Sequence, residues 1–377
     1  MSLPQKKVLY TLDTLQTGGA ERSTLEIASR LKNWQPIVCQ IYAKSELRKE
    51  YAHTNIRFAS FDLPGTYQFW KAIKLLRRLL REEKPDLVVA TLMRTELISR
   101  VACFLEKVRL IGTFVNDTYS PFEFKTASFD LKLKIRFFQF WNALTARVCI
   151  GFLSNSEYIK QSNAKALFIN PAKIKVIHRG RTIDDFQKQS HSPNEQIIFI
   201  NVGRLIPRKG QKELIEAFST FVKKYPSSKL KIAGEGPYRP VLEQTIRELN
   251  LENDVTLLGN VKDIPALLET ASAFVFPSHY EGFSGALIEA ALAGVPVIAS
   301  DIPMNKEVIP EGYASFFEVK KKESILDSLV YFAENTEECF PKAEKARSYA
   351  TQNFDIETIA SQHEKAYDEF LKNAGKL

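Results

Sequence analysis

Glu281 and Glu289 stand eight positions apart around a helix start, within FVFPSHYEGFSGALIEAALAGVPVIASD at 274–301. Phe274, Val275 and Phe276 form a short apolar run that Pro277 stops, the pattern of a buried strand. Ser284 suits an N-cap, the Ala- and Leu-rich run 285–293 suits a helix, Gly294 suits its end, and Val297–Ser300 starts another strand. In an open parallel sheet this order aims the helix N-terminus into the crevice at the carboxyl edge, where ligands bind. Backbone N–H groups over 283–288, those of Phe283, Ser284, Gly285 and Leu287 among them, would meet a phosphate there with the positive end of the helix dipole. Glu281, ahead of the helix, and Glu289, about one turn inside it, would accept from sugar hydroxyls. A plain loop and amphipathic helix is the competing interpretation of this stretch alone.

Cations that suit a diphosphate lie upstream. Gly203-Arg204-Leu205-Ile206-Pro207-Arg208-Lys209-Gly210 follows an apolar run and precedes a helical stretch around 214–223. Arg204 can meet two phosphate oxygens through its planar fork, Lys209 adds a mobile point charge, and Gly203 lets the backbone come close. GEGP at 234–237 and Gly259 repeat glycine at strand ends. In the first half, Gly18 and Gly19 fall at a strand-to-helix turn, TGGAER at 17–22. Its spacing is not G-x-G-x-x-G, so a ligand-binding turn and a structural one fit equally well.

The elements that must carry these residues alternate. Strands are predicted over 8–12, 37–42, 56–61, 87–92, 110–115 and 148–154, with helical stretches between them, which argues for a parallel α/β sheet. A polar run with a proline, 188–196, interrupts both periodicities and reads as an interdomain linker. The strand–helix pattern restarts at 197–202. With 377 residues, two domains are expected. The boundaries predicted are 1–187, the linker, 197–355, and a last segment 356–377.

Composition narrows the class further. The chain is 45% apolar and 25% charged, with no apolar run long enough to span a bilayer and no secretory signal peptide. Cys39, Cys103, Cys149 and Cys339 are widely spaced in apolar contexts and read as buried thiols of a reducing compartment. The five His residues show no metal-ligand spacing. A cytoplasmic location is the default. Charge is uneven: residues 1–190 hold 31 Lys and Arg against 17 Asp and Glu, and residues 191–377 hold 21 against 27. An anionic partner for the first half is therefore expected: a membrane surface, a phosphorylated acceptor or nucleic acid, the last disfavoured because no recognition motif accompanies the charge. YQFWKAIKLLRRLLR at 67–81 and KLKIRFFQFWNALTAR at 132–147 mix aromatic and basic residues, which suits the headgroup region of an anionic membrane or, alternatively, helices packed on a sheet with basic stems over apolar surface.

GGAER at 18–22, NSE at 155–157, GRL at 203–205 with Lys209-Gly210, GEGP at 234–237 and PSHYEGFSGALIEA at 277–290 together resemble glycosyltransferase family 4 over nearly the whole chain. Glu281 and Glu289 fit the family's E-x7-E pattern. The resemblance implies an α/β GT-B fold, two Rossmann-like domains with parallel sheets facing a central cleft, the first binding the acceptor and the second the donor, with the last helix crossing back to the first domain. It implies retaining transfer of a hexose or N-acetylhexosamine from a nucleotide diphosphate sugar, a UDP-sugar in preference to a GDP-sugar, with no further cofactor. By similarity, Arg204 and Lys209 bind the diphosphate, Glu281 contacts the donor sugar, Glu289 takes the ribose hydroxyls, the amides near Phe283, Ser284, Gly285 and Leu287 meet sugar and phosphate, Gly203 and Gly259 are further donor-binding positions, and Gly18 and Gly19 line the opposite wall. Many members carry a His where this chain has Val115-Asn116-Asp117, so Asn116 or Asp117 is expected to replace it. Members often show Pro-Asn-Gly where this chain has His178-Arg179-Gly180-Arg181, and Arg179 and Arg181 are either contacts for an anionic acceptor or a solvated pair. No D-x-D occurs anywhere in the chain, so no metal ion is expected. The acceptor expected is a saccharide, lipid-linked, of bacterial-type surface polysaccharide, met at the inner face of the cell membrane. Carboxylates alone would also suit a hydrolase, and an epimerase or a silent sugar-nucleotide binder would use the same donor site.

Overall fold

The computed structural model describes residues 5–16, 18–65, 68–120, 124, 128–186 and 196–375. Most of the expected linker, 188–195, lies outside these residues, as do Thr17 and Tyr67. The chain divides into two compact units: Met1–Gly180 with Ile356–Leu377, and Arg181–Asp355.

The first unit holds seven strands, β1 (Lys6–Leu12), β2 (Trp34–Tyr42), β3 (Arg57–Leu63), β4 (Leu87–Ala90), β5 (Leu110–Phe114), β6 (Gly151–Ser154) and β7 (Ile174–Val176), in the order β3-β2-β1-β4-β5-β6-β7. Neighbours run parallel throughout. The central strands are apolar runs, Val8-Leu9-Tyr10 and Leu87-Val88-Val89-Ala90, buried without alternation because helices cover both faces. Strand order reverses between β1 and β4. The C-terminal helix Ile356–Ala374 belongs to this unit: Tyr367 OH meets Tyr10 OH at 2.8 Å, its ring stands edge-on to Trp34, and Glu364 Oε1 accepts from the N–H groups of Lys32 and Asn33 at 2.8 and 2.7 Å.

The second unit repeats the plan with six strands, β8 (Ile198–Val202), β9 (Lys229–Ala233), β10 (Val255–Gly259), β11 (Ala273–Phe276), β12 (Val297–Ser300) and β13 (Ser315–Phe317), ordered β10-β9-β8-β11-β12-β13. One face is filled by the rings of Phe199, Phe218, Phe221 and Phe332, the other by Phe274, Phe276, Leu287 and Ile288. Here the reversal falls between β8 and β11. In doubly wound sheets the carboxyl ends at such a reversal open a crevice.

Four expectations change. β7 and β13, three residues each, were not predicted, being too short to show a period. The strand predicted over 148–154 starts at Gly151, after a 3-10 turn at Ala146–Val148. The first unit ends at Gly180 rather than at 187, because Arg181 N–H bonds Phe354 O at 2.8 Å and Phe186 is buried in the second core. The two aromatic and basic helices also part company. In Phe69–Glu83 the residues Ile73, Leu76 and Leu80 are buried on one stripe, and Arg77 and Arg81 both pair with Glu106, at 2.6 and 2.7 Å. That helix is a packed one, with Trp70 exposed at one end. In Phe129–Thr145 only Ile135 and Asn142 are buried, and Phe129, Phe137 and Phe140 are 75%, 59% and 63% exposed. Among the described residues no helix is long and apolar enough to cross a membrane.

Candidate active site

The carboxyl ends of the adjacent strands β8 and β11 release two loops, 203–210 and 277–284. Gly210 holds them together: its φ is +69°, and a Cβ there would strike Pro277 O, so neither another backbone shape nor a side chain fits. Behind the loops Gln211, 1% exposed, donates from Nε2 to Gly203 O, Arg204 O and Asn201 Oδ1 at 3.3–3.4 Å, while Asn201 Nδ2 reaches Val275 O at 2.8 Å. These two amides tie β8, its loop and β11 into one frame. His279 adds a further tie, with its N–H on Arg208 O and its Nε2 3.1 Å from Glu213 Oε1. Burial, the largest single influence, raises the Glu213 carboxyl, but the hydrogen bond from His279, a backbone hydrogen bond and the charges of His279 and Lys212 together outweigh it and hold that carboxyl below its usual range.

In this frame Lys209 Nζ pairs with Glu281 Oε1, and the ammonium stands 5.3 Å from the centroid of the Phe276 ring. The pair is largely buried, so Glu281 fixes the direction of a cation that would otherwise sweep a wide arc. Arg204, at the other end of the loop, is exposed. Gly203 N–H bonds Ala233 O and Gly234 N–H bonds Gly259 O, so Gly203, Gly234 and Gly259 step across the carboxyl ends of β8, β9 and β10. Gly259 is thereby separated from β11 by two strands and lies beside Glu235.

The helix Gly285–Leu292 is capped by Ser284, whose Oγ accepts from Leu287 N–H at 3.3 Å, while Ile288 N–H bonds Ser284 O. The Leu287 N–H bonds the Ser284 cap, and its side chain is fully buried. Gly285 and Ala286 remain as the first helical donors. The Phe283 ring is buried edge-on to Phe354, which leaves its backbone as the part able to meet a ligand. Glu289 is paired with Arg181, Nε to Oε1 at 2.7 Å. Arg181 is thus neither solvated nor part of the first unit.

Within the first unit, Gly18 is the N-cap of Gly19–Ala28, and a Cβ on Gly19 would come to 3.1 Å from Arg179 Nη1. Of the two residues expected to replace the family's His, Asn116 is exposed in the loop after β5. Asp117 is 3% exposed and accepts from Ser162 Oγ at 2.7 Å. Asn116 lines a cavity of about 280 Å³ with Asp13, Arg94, Tyr119 and Asn142. It opens at the carboxyl ends of β1 and β4, where Asp13 accepts from Arg94 Nε at 3.0 Å and from Thr95 Oγ1. Leu92, between β4 and the next helix, has φ +75°, a strained value for a side chain of its kind. Neither Asp13 nor Arg94 was predicted from sequence, although a carboxylate directly after a central strand is a usable signal. Gln211 had no such signal, since Gln at a helix start reads as surface.

The family pattern described as Glycosyl transferases group 1 matches residues 182–353, and that described as Glycosyltransferase Family 4 matches residues 17–185. The chain belongs to glycosyltransferase family 4. The two matches meet where the structural units do. This glycosyltransferase is 28% identical to the UDP-Gal:alpha-D-GlcNAc-diphosphoundecaprenol alpha-1,3-galactosyltransferase of Escherichia coli, over 83% of the chain and 84% of the relative. It is 29% identical to an uncharacterized glycosyltransferase of Methanocaldococcus jannaschii, over 69% of the chain and 66% of the relative, just under two thirds of that protein. Its fold is that of Anabaena HepE, seen in a crystal structure with UDP-glucose, at a TM-score of 0.83 and 22% identity over 96% of this chain and 99% of that one. The glycosyltransferase therefore has the GT-B fold.

Proposed function

We propose that this glycosyltransferase moves a hexose or N-acetylhexosamine, with retention of configuration, from a UDP-sugar to a lipid-linked saccharide of surface polysaccharide, without a metal ion or other cofactor. The observation that carries the donor half is the Lys209–Glu281 pair beside the Ser284-capped helix, at the strand reversal of the second sheet. Breaking the bond between sugar and diphosphate builds negative charge on the departing diphosphate. Lys209, held by Glu281, and the first amides of the helix are fixed positive groups for that charge, to which exposed Arg204 adds a further cation, and fixed donors need no reorganisation as it develops. Glu281 holds Lys209 in direction and has a second oxygen for a sugar hydroxyl. UDP is favoured because HepE holds UDP-glucose on this fold and the E. coli relative is named for UDP-Gal. A diphosphoundecaprenol-linked saccharide in that relative's name supports the acceptor class. The cavity of the first unit lined by Asp13, Arg94 and Asn116 is the acceptor site proposed.

The membrane part of the reading rests on the helix Phe129–Thr145. Its exposed Phe129, Leu133, Phe137, Phe140 and Leu144 are interleaved with Lys132, Lys134 and Arg136, while Asp130 is its one acidic residue. Phe168, 91% exposed, adds to this face, since Gln139 Nε2 bonds Ala166 O at 2.8 Å and so brings the 157–167 helix end alongside. Apolar area with positive charge fits an anionic bilayer surface.

A panel of UDP-, GDP- and ADP-sugars, offered with a polyprenyl-diphosphate saccharide in excess chelator and followed by product mass, tests the function. Transfer from a UDP-sugar is expected. A free or isomerised sugar identifies a hydrolase or epimerase, no turnover with tight UDP binding identifies a silent binder, and strict dependence on added divalent metal overturns the metal-free reading.

A further inference from the structure

Arg181 is a largely buried cation, paired with Glu289, to which the donor-site reading gives no task. Its Nε donates to Glu289 Oε1 at 2.7 Å, and the two side chains retain only 11% and 17% of their surface. Its backbone is fixed as well, by the bond from its N–H to Phe354 O and a bridge to Asp355. Glu289 follows Gly285 by four positions and so shares its helix face. A Cβ on Gly285 would collide with Arg181 Nη2. The guanidinium therefore runs along that face from the first helical residue to Glu289, through the space a side chain at 285 would fill. Absence of a side chain at Gly285 makes room for Arg181 as well as for a ligand.

Resting on the donor reading above, we propose that Arg181 is a positioning residue that holds Glu289 by one carboxylate oxygen and so presents the other to the ribose of the donor. A carboxylate has about four acceptor sites, so one oxygen can stay with the guanidinium while the other takes hydroxyls. Neutral hydroxyls do not displace the guanidinium, because the exchange would leave two poorly solvated charges unpaired. Without Arg181 the Glu289 side chain is free to rotate, and donor binding must then order it. Arg is suited to this task where Lys is not, since its planar fork fixes the direction of the hydrogen bond as well as the charge. The pair stands just after the point where this sequence, His178-Arg179-Gly180-Arg181, departs from the Pro-Asn-Gly that family members often show.

Titration of the full chain with UDP tests this, with melting temperature recorded for every variant to separate folding from binding. Arg181→Gln is expected to weaken UDP by about tenfold or more, with kcat at saturating donor within about threefold of the parent, as expected for loss of a hydrogen bond to a charged group outside the chemical step. Arg181→Lys, which keeps the charge, is expected to lie between the two. In a Glu289→Gln background, Arg181→Gln is expected to change UDP affinity by less than about twofold, because a residue acting through a partner loses its effect when the partner is gone. Equal losses in both backgrounds, or unchanged or tighter UDP binding by Arg181→Gln in a folded protein, overturn the proposal. If Glu289→Gln itself leaves UDP affinity unaltered, the donor reading fails instead, which keeps the two failures apart.

Discussion

Lys209 and Glu281 restrain one another, so removing either leaves a largely buried charge without its partner. Glu281→Ala is expected to lower kcat by about tenfold to a thousandfold with a smaller change in donor KM, because the Lys209 ammonium loses its direction in the step where charge develops. Glu289→Ala is expected to do the reverse, raising donor KM by about tenfold or more with a modest effect on kcat. Steady-state kinetics on both variants checks the pair, and full activity in either would show the site to lie elsewhere. Leu287→Ala is a different case: the residue is fully buried, so it is expected to lower stability by about 2–5 kcal/mol, read by denaturant unfolding, with donor KM unchanged in the folded fraction. The carboxylates and the cap were legible in sequence because Ser284, Gly285–Leu292 and Glu289 are neighbours whose relation is set by one helix. Arg181 was not, because 108 positions separate it from Glu289 and nothing local marks the partner. Nor does sequence say which of two adjacent polar residues turns inward: Asn116 is exposed, whereas Asp117 is buried on Ser162.

The helices Phe69–Glu83 and Phe129–Thr145 both mix aromatic and basic residues and have different fates. In the first, apolar residues recur at the spacing of one stripe, Ile73, Leu76 and Leu80, and that stripe is buried. In the second, Phe129, Leu133, Phe137, Phe140 and Leu144 also recur at the spacing of one stripe, yet that stripe is exposed. Both stripes were visible in the sequence, whereas which of them meets a packing partner was not. Vesicle co-sedimentation separates them. Phe137→Asp with Phe140→Asp is expected to reduce binding to vesicles of phosphatidylglycerol and phosphatidylethanolamine by about tenfold or more, since each exposed ring withdraws on the order of 100 Å² or more on insertion. Lys71→Glu with Lys74→Glu is expected to leave it unchanged. Binding that follows the second pair, or that is as strong on neutral phosphatidylcholine, removes the assignment. The strand pattern of both sheets was legible wherever strands are long and continuous, and failed at β7 and β13, whose three residues are held by the preceding strand rather than by their own sequence.

For the molecule as a whole, stability has a dependence on acid built into the C-terminal helix. Burial lowers the His363 imidazole to about 4, from an ordinary value near 6.5. Below pH 6.5 the unfolded chain takes up a proton that the folded chain refuses until about pH 4, so stability falls across that window and levels off beneath it, by up to about 3 kcal/mol. The ring keeps some contact with water, which places the figure at the upper end. Urea unfolding at pH 7, 5.5 and 4.5 checks the slope, and His363→Gln is expected to flatten it. The same helix has a consequence for synthesis. The first unit needs Ile356, Ile359, Tyr367 and Phe370 to close its core against Tyr10, Leu25 and Trp34, yet the whole second unit is translated in between. At ribosomal rates of about 5–20 residues per second, the early strands wait on the order of ten to thirty-five seconds with that apolar surface uncovered. The second unit, continuous in sequence, can fold while it emerges. The helix Ile356–Ala374, made after the whole second unit, therefore sets when the core of the first unit can close.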